Sequence, residues 1–167
     1  MTHPLMDFSD FAIATMLREC YNEAKALSDD PQTQNAAMIV SPDGNFIRAV
    51  AANTIPTLLV MSPDRIEAPL KYDFIEHAER AVIYSSESVT NSAMVCVYAA
   101  CPACARAIIL SEITCLISHE DAILRGSWKD RAILGLDMLR EAKIDVRLFK
   151  GKVERCTNLL DGKEWNP

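Results

Sequence analysis

Positive charge is scarce in this chain: 17 lysines and arginines stand against 23 aspartates and glutamates, for a formal charge of −6. A surface that grips a phosphodiester backbone normally carries a basic stripe, so no nucleic-acid partner is expected. A small charged substrate stays admissible, because a few local cations suffice for one phosphate. Long apolar runs are missing as well. None approaches the twenty residues that span a bilayer, and no charged-plus-apolar leader with a small-residue cleavage site is present. No membrane association is expected, and a reducing cytoplasm is the expected location. Internal repeats, low-complexity tracts and linkers are also lacking. The 167 residues are therefore expected to form one domain, with a core over about 7–149 and a tail over 150–167.

What is present is a half-hydrophobic, quarter-charged composition, ordinary for a soluble globular protein. Six cysteines stand at 20, 96, 101, 104, 115 and 156. Cys20, Cys96 and Cys115 lie in apolar segments and read as small buried hydrophobes. Cys156 has no assigned role. In a reducing compartment, Cys101-Pro102-Ala103-Cys104 suggests metal or redox chemistry rather than a structural disulfide.

Met1 to Met6 reads as a loose terminus, with His3 solvated. From Asp7 to about Ser28, Ile13, Met16, Leu17, Cys20, Ala24 and Leu27 mark one helix face, with Ser9 or Asp7 as cap and Asp29-Asp30-Pro31 as stop. Residues 35–40 and 45–52 read as a hairpin around Ser41-Pro42-Asp43-Gly44. Residues 55–72 carry three prolines and read as a long loop, a feature more often functional than not. Helices are expected over 75–86, 102–110 and 128–142, and strands over 94–99, 113–117 and 144–149. His119 reads as a loop or interface residue, and the tail as a segment that packs on a neighbour or stays mobile. The alternation implies an α/β protein whose mixed sheet is covered on both faces, with right-handed parallel crossovers.

Chemistry-bearing residues gather in two places. Ile75-Glu76-His77-Ala78-Glu79-Arg80 supplies an imidazole and, two residues on, a carboxylate; the Cys101–Cys104 pair supplies two thiols ahead of an apolar helix-like run. His77, Cys101 and Cys104 make a three-ligand set for zinc, leaving a fourth tetrahedral position for water, which distinguishes a catalytic site from a structural one. Glu79 is then a spare carboxylate beside the metal, although alone it would read as a solvated or ion-paired helix residue. A redox pair at Cys101 and Cys104 would leave His77 and Glu79 without a role.

These two motifs together resemble the signature of the zinc-dependent cytidine and deoxycytidylate deaminases, H-x-E followed by P-C-x-x-C. Lys71 to Arg80 resembles the deoxycytidylate deaminase-like branch in particular, and the similarity runs from about Asn35 to Leu148. One departure is visible: the usual proline before the first cysteine is Ala100 here, and Pro102 follows instead. Proline at the first helical position costs no hydrogen bond, and it holds Cys101 extended at the helix mouth.

The resemblance implies a three-layer α/β/α cytidine deaminase-like fold with a five-stranded mixed sheet. It implies a Zn2+ cofactor, a small-molecule nucleotide substrate and a homo-oligomer. The implied reaction is hydrolytic deamination of a free cytosine nucleotide, with dCMP to dUMP the leading expectation. Glu79 would take a proton from the attacking water, deliver it to N3 and later protonate the departing amine. By the same resemblance the backbone of Ala78 contacts the pyrimidine edge and Asn53 the sugar, although Asn53 also reads as a turn residue. Lys71 and Arg65, the cations of the 55–72 segment, could meet a 5′-phosphate or be solvated surface charges. Other readings are a nucleoside or nucleobase deaminase of the same fold, a nucleic-acid base modifier that the acidic charge disfavours, and a non-catalytic zinc-stabilised module. The pattern Gly-Tyr-Asn-Gly of the allosterically regulated deoxycytidylate deaminases is missing, as is a His/Cys set for their second zinc.

Overall fold

The structure, a computed structural model, describes residues 7–167; Met1 to Met6, including His3, lie outside the described residues. In chain order the elements are α1 (Asp10–Leu27), β1 (Ala36–Val40), β2 (Ile47–Ala52), the single turns α2 (Pro63–Ile66) and α3 (Lys71–Phe74), α4 (Ala78–Ser85), β3 (Ala93–Cys96), α5 (Pro102–Leu110), β4 (Cys115–His119), α6 (Glu120–Arg125), α7 (Lys129–Glu141), β5 (Asp145–Phe149), β6 (Asn158–Leu160) and β7 (Lys163–Trp165). The main sheet has the order β2-β1-β3-β4-β5. Strand β1 runs antiparallel to both β2 and β3, while β3, β4 and β5 are parallel. This is the expected five-stranded mixed sheet.

Strand period divides the core into two layers. On one face Ala37, Ile39, Met94, Cys96 and Leu116 pack with Ala78 and Val82 of α4, Cys104, Ala105 and Ile108 of α5, and Leu136 and Leu139 of α7. On the other, Ala36, Met38, Val40, Val95 and Ile117 pack with Ile13, Leu17, Cys20, Tyr21 and Ala24 of α1. Central strands buried on both sides explain why β1, β3 and β4 read as near-continuous apolar runs. Cys20, Cys96 and Cys115 are buried within these layers. Ser9 caps α1 by accepting from the Ala12 N–H at 3.2 Å. Among the described residues, no helix is long and apolar enough to cross a membrane.

Four local expectations change. Residues 75–77 are extended rather than helical, because Glu76 pairs its backbone with Thr54 through two bonds of 2.8 and 3.0 Å. The 55–72 segment holds the turn α2 and the first half of α3. His119 is a fully buried strand end, not a loop or interface residue. The tail forms the β6–β7 hairpin, and its Trp165 ring stacks on His119 with centroids 5.9 Å apart and planes 16° apart. Asp161 and Gly162 both take positive φ at the hairpin turn (50° and 74°), and Asp-Gly is a turn pair suited to that geometry.

Candidate metal centre and active site

The site forms where the chain leaves β3 and where β1 begins. Because β1 is antiparallel to β3, Asn35 lies beside the exit of β3, and Asn53, just past β2, pairs its N–H with the Asn35 carbonyl at 3.0 Å. The helices α4 and α5 begin at this same place. Cys101 is the N-cap of α5, extended at φ −67°, ψ 168°, with Pro102 opening the helix. The exchanged Ala100-Cys101-Pro102 order therefore leaves the expected helix mouth intact. His77 is the N-cap of α4, and Glu79 lies in its first turn. Free N–H groups and the helix dipole at two such ends favour negative charge between them.

The His77 Nδ1 lies 3.7 Å from Cys101 Sγ and 3.5 Å from Cys104 Sγ, and the two sulfurs are 3.6 Å apart. A tetrahedral zinc with Zn–S of about 2.3 Å and Zn–N of about 2.0–2.1 Å requires sulfurs about 3.8 Å apart and nitrogen–sulfur separations of about 3.6 Å. The triangle matches those edges to within about 0.2 Å, so the three donors fit the ion. The Cys101 thiol is pushed down to about 3, chiefly by the hydrogen bond from Cys104 and, against burial, by His77. Cys104, the donor in that bond, is pushed up. Arg80 adds cationic charge, with Nη1 3.5 Å from Cys104 Sγ, and is held by an ion pair to Glu76.

Glu79 is buried beside this triangle, 1% exposed. Its Oε2 accepts from Asn35 Nδ2 at 3.3 Å; the Asn35 amide is oriented by its Oδ1, which accepts from the Tyr98 N–H at 3.4 Å. Burial holds the Glu79 carboxyl above the ordinary carboxylate range, with nearby His77 pulling the other way. A buried carboxyl so placed can exchange protons with a group in the cavity rather than with bulk solvent.

The cavity itself spans roughly 750 Å3 including its open mouth, a size that suits a small heterocyclic ligand. His77, Glu79, Cys101, Asn53 and Asn35 line it, together with the aromatic side chains of Tyr72, Tyr98 and Trp128. The Trp128 ring stands edge-on to Tyr72 (4.9 Å, 80°) and to His77 (6.2 Å, 86°). Asp30, Lys129 and Asp161 bring charge to its walls.

His77, Glu79, Cys101, Cys104 and Asn53 thus come together. The other sequence candidates are placed differently. The Ala78 N–H already donates to Asn53 Oδ1 at 3.1 Å, as the first turn of a helix requires an acceptor and His77 supplies no side-chain bond. Asn53 is engaged at its other end too, with Nδ2 donating to the Thr33 carbonyl at 3.2 Å. Lys71 is 1% exposed and paired with Asp30 at 2.9 Å, so its charge is neutralised inside the protein. Arg65 donates to the Val60 carbonyl at 2.8 Å and lies over the Phe74 ring at 4.5 Å. Neither cation lines the cavity. Sequence reading missed Asn35, Tyr72, Tyr98, Lys129, Trp128 and Asp161. Of these only Asp161 carried a signal, an Asp-Gly turn between Leu159-Leu160 and Trp165.

No protein-family model matches the sequence, and no curated protein matches it. Solved structures do resemble the fold. The dCMP deaminase of cyanophage S-TIM5, in complex with dCMP and dUMP, superposes with a TM-score of 0.65 at 18% identity, over 85% of this chain and 99% of that one. The guanine deaminase of Nitrosomonas europaea superposes with a TM-score of 0.50 at 16% identity, over 87% and 79% of the two chains. At such identities the likeness is one of fold, and the fold is cytidine deaminase-like.

Proposed function

We propose that this chain is a zinc-dependent hydrolase that deaminates a free cytosine nucleotide, with dCMP to dUMP and ammonia the leading substrate pair. One observation carries the reading: three donors spaced for a zinc tetrahedron, of which His77 and Cys101 line the cavity, stand with a buried carboxyl on the same cavity wall that has no cationic partner of its own among the described contacts. A structural zinc site normally fills its fourth position with a protein ligand and needs no such acid. The phage dCMP deaminase with a similar fold adds support for the choice of substrate.

Zinc held by His77, Cys101 and Cys104 would supply Lewis acidity, making hydroxide available near neutral pH. The chain's own residues account for the proton movements. Ionised Glu79 takes a proton from the attacking water as oxygen bonds to C4 of cytosine, and passes it to N3. It then takes the remaining hydroxyl proton and gives it to the C4 amine, which leaves as ammonia while C4=O forms. Asn35 holds the carboxylate in place through Oε2, leaving Oε1 to exchange protons. Tyr72 and Trp128 give a flat ring apolar walls and help to exclude water. Lys129 is the cation on the cavity wall that could meet a phosphate.

A second reading, deamination of a nucleoside or base without phosphate, is favoured by the wall charges: Lys129 is opposed by Asp161, Asp30 and Lys71 neutralise each other, and Arg65 does not line the cavity. Ammonia release from zinc-loaded protein, measured over cytosine, adenine and guanine bases, nucleosides and monophosphates, decides between the two. Turnover of dCMP well above deoxycytidine, with Lys129→Ala weakening only the former, supports the nucleotide. No ammonia from any of them would refute the deaminase reading.

A further inference from the structure

The C-terminal hairpin is bonded to both sides of the cavity. On one side the Gln34 N–H donates to the Leu159 carbonyl at 3.0 Å, and the Gly162 N–H donates to the Gln32 carbonyl at 2.8 Å. On the other, the Asp161 carboxylate grips Ser127: Oδ2 accepts from its N–H at 2.7 Å and Oδ1 from its Oγ–H at 2.9 Å. Charge-assisted bonds of this length, closing on one residue through both carboxylate oxygens, fix orientation as well as distance. Ser127 precedes Trp128, the N-cap of α7, which receives no side-chain cap of its own. The Trp128 ring then faces His77 and Tyr72 inside the cavity.

We propose that Asp161 is a positioning residue of the site: it locks Ser127, and through it sets the Trp128 ring against which the substrate's heterocycle is held. The hairpin is then a working part of substrate binding rather than a decorative tail. This rests on the reading that the cavity takes a nucleobase, and it predicts an effect on binding, not on proton transfer, because Asp161 is bonded to Ser127 while Asn35 holds Glu79.

The test uses Asp161→Gly, which deletes the carboxylate while keeping a residue that accepts the positive φ of the turn. Asp161→Asn keeps the turn and can satisfy both Ser127 groups, so it serves as the conservative rescue. In a Trp165→Phe background, where Trp128 is the remaining indole, acrylamide quenching reads its exposure without any substrate. Quenching should rise in Asp161→Gly and return in Asp161→Asn. With whichever substrate the wild type turns over, KM should rise by about tenfold in Asp161→Gly, with kcat within about threefold and zinc content unchanged. Ser127→Ala, which loses one of the two bonds, should fall between. Unchanged quenching in both Asp161→Gly and Ser127→Ala would overturn the proposal, as would a loss confined to kcat. If quenching responds but the wild type deaminates no substrate, the positional claim stands and the deaminase reading falls.

Discussion

Gly135, in the middle of α7, offers the sharpest test of how the fold holds the Ala100–Cys101 segment. A Cβ built there would lie 1.9 Å from the Ala100 carbonyl oxygen and 3.0 Å from the carbonyl carbons of both Ala100 and Cys101. All three atoms are backbone, so no rotamer change relieves Gly135→Ala. Either α7 lifts from the sheet or the Ala100–Cys101 segment moves by more than an ångström. Overpacking of this kind costs about 1–3 kcal/mol, and blocked relief puts it at the upper end. Alanine's better helix propensity returns about 1 kcal/mol, leaving a net loss of about 2 kcal/mol. The candidate donor set shifts as well, because Cys101 stands 3.6 and 3.7 Å from its fellow donors. Zinc affinity should fall by about 10–100-fold, as for other losses of ligand support. Urea unfolding of the metal-free protein and competition for zinc with a chromophoric chelator measure the two effects separately. A variant that is more stable than wild type and binds zinc equally well would refute the packing described.

Further outcomes follow from the same structure. Glu79→Gln should retain zinc and fold yet lose at least about 10²-fold in turnover, read from ammonia release; undiminished turnover would remove Glu79 from the chemistry. Asp30→Ala strands the buried Lys71 charge and should cost about 3–5 kcal/mol in urea unfolding, with part recovered in Asp30→Ala/Lys71→Met. His119 has a bond at each ring nitrogen: its Nε2–H donates to the Gly151 carbonyl at 2.8 Å, an atom that can only accept, and its Nδ1 lies 2.7 Å from the Tyr21 hydroxyl, which can donate to the neutral ring. Burial lowers its pKa, so the unfolded chain binds the extra proton first. Its stabilising contribution is full above the ordinary histidine value of about 6.5 and declines as pH falls below it. Comparing wild type with His119→Gln at pH 7.5 and about pH 5.5 isolates that decline; parallel curves would mean that His119 does not titrate in this way.

The parts legible in the sequence were those fixed by local chemistry. Pro102 marks the start of α5, Ser9 that of α1, and the two-sided burial of β1, β3 and β4 leaves near-continuous apolar runs. His77, Cys101 and Cys104 converge because α4 and α5 begin at the same end of the sheet, His77 and Cys101 as their N-caps and Cys104 one turn into α5. What was not legible depends on partners distant in sequence. Residues 75–77 are drawn out straight by Thr54, and Lys71 is buried because Asp30 waits 41 residues upstream. Trp128 reaches the site through an α6–α7 connection whose course is tied to Asp161, 34 residues further on. No periodicity records such long-range bonds. The hairpin is a different case, since Asp161-Gly162 after Leu159-Leu160 is a turn signal that the polar tail obscured.

X-ray absorption at the zinc edge of the metal-loaded protein probes the site most directly. Two sulfur scatterers are expected at about 2.3 Å and two nitrogen or oxygen scatterers at about 2.0–2.1 Å, His77 and one exchangeable solvent oxygen, with the latter replaced when the reaction product is added. A shell of three or four sulfurs, or a fourth ligand from the protein that no added molecule displaces, would contradict it.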